Sequence, residues 1–163
     1  MSNDLPASAA RVQEALAAHG ASFRVVQMPS STRTAQEAAA AIGCTAAQIA
    51  KSILFKGALT GKPILVIASG ANRVDEHSVA QHSGEPLGKA TAGFVREATG
   101  YVIGGVPPVG FPRPIETWID ADLLQHDVVW AAAGTPFTVF SLDPQGLAGL
   151  TGGTVIPVVR SAS

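Results

Sequence analysis

Apolar positions along the chain switch between helical and strand spacing, and the switches predict its elements. Ala9, Val12 and Leu16 share one helical face in an alanine-rich stretch, predicting a helix from Ala9 to Ala18 with Ser8 as N-cap and Gly20 as terminator. Phe23 to Met28 reads as a strand that Pro29 ends. Thr34 and Glu37 have the spacing of a capping box for a helix from Ala35 to Ile42, which Gly43 stops. A second box, Thr45 to Gln48, opens a short helical turn that delivers the chain to Lys51 at the head of the apolar strand Ser52 to Phe55. After the turn Gly57 to Gly61, the unbroken run Ile64 to Ala68 predicts a central strand covered on both faces, forming a hairpin with its predecessor. Asp75 and Thr91 are N-caps for helices through Gln81 and Ala98.

Further strands are expected at Tyr101 to Ile103, Glu116 to Ile119, Val128 to Ala133, Phe137 to Phe140 and Val155 to Val159, with helices at Asp120 to Gln125 and Pro144 to Leu150. About seven strands interleaved irregularly with about six helices predict an α/β domain, α+β-like, built on a mixed, curved, barrel-like sheet. The 163 residues suit a single domain, with no internal repeat or low-complexity linker. Hydrophobic residues at 47% against 14% charged exclude disorder, and no run of about 18 apolar residues marks a membrane span. Met1-Ser2-Asn3-Asp4 is polar where a secretory signal is basic and then apolar, which points to the cytoplasm.

Charge and motif content narrow the chemistry. A formal net charge of −1 rules out a protein that coats nucleic acid, so any RNA contact has to be local. Cys44 is the single cysteine, so no internal disulfide forms, and His19, His77, His82 and His126 lack metal-ligand spacing. Neither a metal nor a cofactor is called for. Gly57 to Pro63 fails as a phosphate loop, no dinucleotide fingerprint follows a strand, and no Gly-x-Ser-x-Gly elbow occurs.

Two features remain. Lys51, flanked by Ile49-Ala50 and Ile53-Leu54-Phe55, either snorkels to solvent or turns its ammonium into a polar cleft. Tyr101-Val102-Ile103-Gly104-Gly105-Val106-Pro107-Pro108-Val109-Gly110 runs from β-forming residues into glycines and prolines, reading either as a surface turn or as a loop whose bare backbone approaches a ligand. Gly105 is a candidate for positive φ. Asp120 is an N-cap, with a pocket role also open, and Arg73 either meets a phosphate or pairs with Asp75 or Glu76.

Taken together, Thr34-Ala35-Gln36-Glu37-Ala38-Ala39, Ala50-Lys51-Ser52-Ile53-Leu54-Phe55, the segment Thr99 to Gly110 and Thr117-Trp118-Ile119-Asp120 resemble, in order and spacing, the YbaK and prolyl-tRNA-synthetase-associated domain family of trans-editing aminoacyl-tRNA deacylases. The resemblance runs from about Ser8 to Val159. It implies hydrolysis of the ester joining a wrongly attached small amino acid (serine, threonine, alanine or cysteine) to the terminal adenosine of a tRNA. The attacking group would be water, assisted by backbone groups and the ribose 2'-hydroxyl. It assigns Lys51, Gly104 and Gly105 to catalysis and Thr34, Val106, Pro107, Pro108, Gly110, Asp120 and Thr135 to the substrate. The implied partners are the tRNA acceptor end and an aminoacyl-tRNA synthetase such as prolyl-tRNA synthetase. Two departures stand out. Thr135, in Ala133-Gly134-Thr135-Pro136, occupies the place of a histidine found in alanine-editing members. Pro107 replaces a serine of the cysteine-editing branch. The rival readings are a non-catalytic module that binds an aminoacyl-adenosine or nucleotide for a synthetase, and an esterase or amidase for small free metabolites.

Overall fold

The computed structural model describes residues 5–20 and 23–159; the polar start Met1 to Asp4 lies outside them. In chain order the elements are α1 (Ala7–Ala17), β1 (Val26–Gln27), α2 (Ala35–Ile42), β2 (Ile49–Gly57), β3 (Pro63–Ser69), α3 (Glu76–Ser83), β4 (Leu87–Lys89), α4 (Ala92–Thr99), β5 (Glu116–Asp120), β6 (Val129–Ala132), β7 (Thr138–Leu142), α5 (Leu147–Thr151) and β8 (Thr154–Ile156), with short 3-10 turns at Ala46–Gln48, Ala121–Gln125 and Pro144–Gly146.

All eight strands join one mixed sheet in the order β1-β7-β6-β2-β3-β5-β8, with β4 added to β2. Contacts β2/β3, β2/β4, β6/β7 and β1/β7 are antiparallel, whereas β2/β6, β3/β5 and β5/β8 are parallel. The end strands β1 and β8 do not pair among the described residues, so the sheet curves without closing.

Inside this sheet β3 lies between β2 and β5 and is covered on both faces, as its apolar run predicts. Leu65 and Ile67 enter a core shared with α1, Ile119 and Phe140, while Ile64, Val66 and Ala68 pack on the opposite face against Val79, Ile156 and Val158. These five β3 side chains, Ile64 to Ala68, are fully buried, each of the larger ones contributing about 1.5–3 kcal/mol. The capping signals also act as read. Thr34 Oγ1 accepts from Glu37 N at 3.1 Å while Glu37 returns a bond to Thr34 N, and Gly43 ends α2 at φ 90°. Thr91 accepts from Phe94 N at 3.1 Å, and Asp75 accepts from His77 N at 3.2 Å.

Four expectations are corrected. Pro6, not Ser8, precedes α1: its carbonyl accepts the first helical bond from Ala10 N at 2.9 Å, and Ser8 lies inside the first turn. Phe23 to Met28 pairs only at Val26–Gln27, the Phe23 ring packing edge-on against Phe140 at 6.2 Å. Tyr101 to Ile103 is not a strand, because local groups take up its backbone: Thr99 Oγ1 accepts from Tyr101 N at 3.0 Å, and Val102 O accepts from Gly105 N at 2.9 Å. Finally, Leu87–Lys89 forms a strand whose three residues carry no readable alternation.

The buried Glu85 fastens the β2–β3 turn beside β4. Its Oε1 accepts from Leu59 N at 2.8 Å and Thr60 N at 3.0 Å, and its Oε2 from Thr60 Oγ1 at 2.8 Å. These bonds, with Thr60 N foremost, hold its carboxyl below the ordinary carboxylate range. A carboxylate so depressed stabilises the fold above its unfolded pKa and loses that contribution as pH falls through the folded value. Glu85→Gln is therefore expected to lower the melting temperature most at neutral pH, the gap from wild type closing on acidification. Thermal melts across pH check this; a pH-independent gap would show that Glu85 acts through shape alone.

Candidate functional site

The site begins with an interruption in strand pairing. Along one edge β2 is bonded to β3 from Ala50 to Lys56. Along the other, β6 reaches only Ile49 and Ala50, and β4 takes over only at Phe55. Bonds from Gly57 N to Lys62 O at 2.8 Å and from Gly70 N to Ile49 O at 2.7 Å show that the odd-numbered residues of β2 are the ones bonded to β3. By alternation the N–H and C=O groups of Ser52 and Leu54 turn to the unpaired edge. The Ser52 Oγ, buried and without a hydrogen-bond partner, lies on the same stretch. A buried orphan hydroxyl costs about 1–3 kcal/mol, so its retention points to a partner brought by a ligand.

Lys51 stands beside this gap, and the cleft alternative for its side chain is the one realised. Its Nζ donates to Asn72 O at 2.8 Å. The side-chain amide of Asn72 is clamped in turn, Nδ2 lying 2.8 Å from both Asp120 Oδ2 and Asp122 Oδ2. Asp120 is fully buried at the end of β5; its Oδ2 also accepts from Ser69 N at 3.0 Å and its Oδ1 from Asp122 N at 2.9 Å. Burial pulls the Lys51 ammonium below the ordinary lysine pKa, and the charge of Asp120 opposes that shift.

Two adjoining cavities share the wall made by Lys51, Ser52, Ile53, Ile103, Gly104 and Val106. The smaller, about 320 Å³, is completed by the N-terminal turn of α2 with Thr34 and Arg33, and by Trp130 and Ala131 of β6. The larger, about 620 Å³, extends past β4 and the start of α3. Gly104 takes φ 93°, and a side chain there would meet Arg33 Cγ at 2.6 Å, so the turn and Arg33 are fitted to one another.

Of the residues expected at the site, Thr34, Lys51, Gly104 and Val106 thus converge on the cleft. The others stand outside its lining. Gly105 does not have positive φ; a Cβ there would sit 2.8 Å from Thr135 Cα, and its carbonyl accepts from Gly134 N at 2.9 Å, so it is bare in order to pack against the 134–135 turn. Pro107 is buried, while Pro108 and Gly110 face α1 near Ala15 and His19. Gly110 at φ 88° leaves room for the Tyr101 hydroxyl. Thr135 spends its hydroxyl on its own turn, 2.8 Å from Thr138 Oγ1 and accepting from Phe137 N at 3.1 Å. Asp120 acts from behind, through Asn72.

Sequence reasoning did not single out Ser52, Arg33, Ile103 or Trp130. Ser52 carried a signal, a hydroxyl inside an apolar strand next to Lys51; Trp130 carried none, since only strand pairing brings it to the cleft. Of the two alternatives for Arg73, the pair with Asp75 or Glu76 is not formed: the ion pairs among the described residues all belong to Lys62, with Glu116 at 2.7 Å and Glu85 at 3.8 Å, and Arg73 lines the larger cavity unpaired.

Comparison with known proteins shows the family and the fold. Residues 29–150 match the family model described as aminoacyl-tRNA editing domain. The uncharacterised protein YwhH of Bacillus subtilis (strain 168) is 32% identical over 123 residues, covering 76% of this chain and 78% of that one. EbsC of Enterococcus faecalis (strain ATCC 700802 / V583), named as a candidate Cys-tRNA(Pro)/Cys-tRNA(Cys) deacylase, is 25% identical over 121 residues, covering 74% and 73% respectively. A crystal structure of a candidate trans-editing enzyme for prolyl-tRNA synthetase superposes with TM-score 0.90 at 45% identity, covering 97% of this chain and all of that one. With its family model spanning β2, the 101–110 loop and Asp120, the chain belongs to the aminoacyl-tRNA editing domain family.

Proposed function

We propose that this protein is a free-standing hydrolase that releases a small amino acid from the 3'-terminal ester of a mischarged tRNA. The observation that carries the reading is the break in pairing along β2, where the Lys51 ammonium, the unpartnered Ser52 hydroxyl and the Gly104 turn meet around a cavity of about 320 Å³. The family, and the names of relatives directed at prolyl-tRNA synthetase and cysteinyl-tRNA, support a tRNA ester as substrate. Serine, threonine, alanine and cysteine are the candidate amino acids, and prolyl-tRNA synthetase the candidate partner.

Among the described residues, the smaller cavity is lined by no carboxylate, imidazole or thiol, so with Lys51 acting as the ammonium its side chains offer no general base. In the proposed reaction water attacks the ester carbonyl carbon, the bond from that carbon to the ribose 3'-oxygen breaks, and the proton lost by water passes through the vicinal 2'-hydroxyl to the departing 3'-oxygen. Lys51 holds the terminal phosphate or the substrate's polar groups, and the Ser52 N–H and hydroxyl are positioned to donate to the oxygen that gains charge. Gly104 and Val106 set the pocket's depth. Asp120 positions Lys51 through Asn72, and Thr135 with Gly105 fixes the loop that closes the pocket, so both residues tune selectivity indirectly.

Deacylation of tRNAs mischarged with alanine, serine, threonine and cysteine tests the reading. Wild type is expected to hydrolyse one or two of them, and Lys51→Ala to lose about 10²–10³ in kcat/KM while remaining folded. Full activity in Lys51→Ala would remove the lysine from the mechanism. Binding of an aminoacyl-adenosine analogue without hydrolysis of any tRNA would favour the non-catalytic module.

Because the charged form of Lys51 is the one required and its pKa is lowered by burial, kcat/KM is expected to fall on the alkaline side before an ordinary lysine would titrate. Lys51→Arg should move that limb to higher pH, as pH–rate profiles will show.

Ser52→Ala should slow hydrolysis about tenfold without lowering the melting temperature, since it removes an unpaired buried hydroxyl. Lost stability with unchanged turnover would assign Ser52 to packing.

A further inference from the structure

The smaller cavity leaves the larger one without an occupant. The larger is about 620 Å³, adjoins the smaller across the shared wall at Lys51 and Gly104, and has an apolar floor that includes Leu54, Phe55 and Val95. Its rim carries Arg73, from the turn after β3, and Lys89, at the end of β4, with Glu76 the one carboxylate in the lining. Both cations are exposed, and among the described residues neither has an ion pair or a side-chain hydrogen bond. Placing Lys51, Arg73 and Lys89 around one hollow with a single carboxylate raises its positive potential, a cost that an anionic ligand turns into affinity.

We infer that this chamber holds the phosphodiester backbone of the single-stranded RNA end that carries the amino acid, with Arg73 and Lys89 binding its phosphates. The assignment rests on the proposed function: an ester seated at Ser52 leaves the rest of its strand to be housed, and the chamber adjoins that seat across the wall of Lys51, Ser52 and Gly104. The apolar floor suits ribose and base faces, and the two cations, supplied by different elements, suit successive phosphates of an extended strand. This also explains how a chain of net charge −1 engages RNA: binding is confined to one hollow.

The test uses Arg73→Ala, Lys89→Ala and the double variant, with three probes: a CCA trinucleotide, adenosine 5'-monophosphate, and a matched pair of substrates, aminoacyl-tRNA and aminoacyl-adenosine. The double variant is expected to bind the trinucleotide about tenfold more weakly, with the slope of log affinity against log salt reduced by about 0.7 for each phosphate that is no longer neutralised. Its kcat/KM should fall similarly on aminoacyl-tRNA and hold on aminoacyl-adenosine, which does not reach the chamber; Arg73→Lys should restore part of the loss. Equal losses on the two substrates, or an unchanged salt slope, would overturn the inference. Adenosine 5'-monophosphate binding as tightly as the trinucleotide would also overturn it, marking a mononucleotide site. The binding arm does not depend on hydrolysis, so failure of the deacylase reading with retained, Arg73-dependent trinucleotide binding would be told apart from failure of the chamber.

Discussion

The organisation of this protein depends on one strand being paired along the whole of one edge and only at the ends of the other. β3 holds β2 in register from Ala50 to Lys56, while β6 and β4 hold the opposite edge at its two extremities. The stretch between is thereby paired on one side and left without a strand partner on the other. In an ordinary sheet an unpaired edge is a liability managed by charge or cover. Here it is covered by the 101–110 loop, leaving hollows on either side of Gly104. A site built from main-chain donors on a central strand has its geometry fixed by the fold, which suits chemistry that needs positioned dipoles more than a reactive side chain.

Much of the remaining structure serves to keep that loop and that lysine in place. Tyr101 bonds Gly110, Gly105 lies flush against the Thr135 backbone, and Arg11 stacks over the Tyr101 ring at 4.9 Å, so the loop is tied to itself, to the 134–135 turn and to α1. Lys51 is held at second hand: the buried Asp120 carboxylate orients Asn72, whose carbonyl receives the ammonium. A direct ion pair between Asp120 and Lys51 would neutralise the lysine. The interposed amide keeps the cation oriented while leaving its charge available to an anion.

How much of this the sequence discloses follows from the range of each signal. The β3 run and the two capping boxes depend on residues within a few positions of each other, and the structure has them as read. Tyr101-Val102-Ile103 misleads because its β propensity is real but a neighbouring threonine and a distant carbonyl capture its polar groups first. The glycines of the loop were legible as a cluster but not individually. Gly104 is bare for backbone conformation, Gly105 for a chain packed against it and Gly110 for a tyrosine hydroxyl, distinctions that exist only after folding. The cleft was illegible for the same reason, since it is the space between where β6 stops and β4 starts, and no local pattern encodes the end of another strand.

That origin bears on how selectivity would evolve in such a site. The groups nearest the proposed reacting atoms are backbone atoms of β2 and of Gly104, which substitution changes little. The side chains able to vary, Ile103, Val106, Trp130 and Arg33, come from separate elements and surround the smaller cavity without being bonded to Lys51. Changing one of them alters the pocket's size or polarity while leaving the Lys51, Asn72 and Asp120 chain intact. Under the proposed function, such a division of labour lets amino-acid preference change while the ester chemistry stays the same: strand pairing and the buried carboxylate carry the chemistry, and the cavity's outer ring carries the preference.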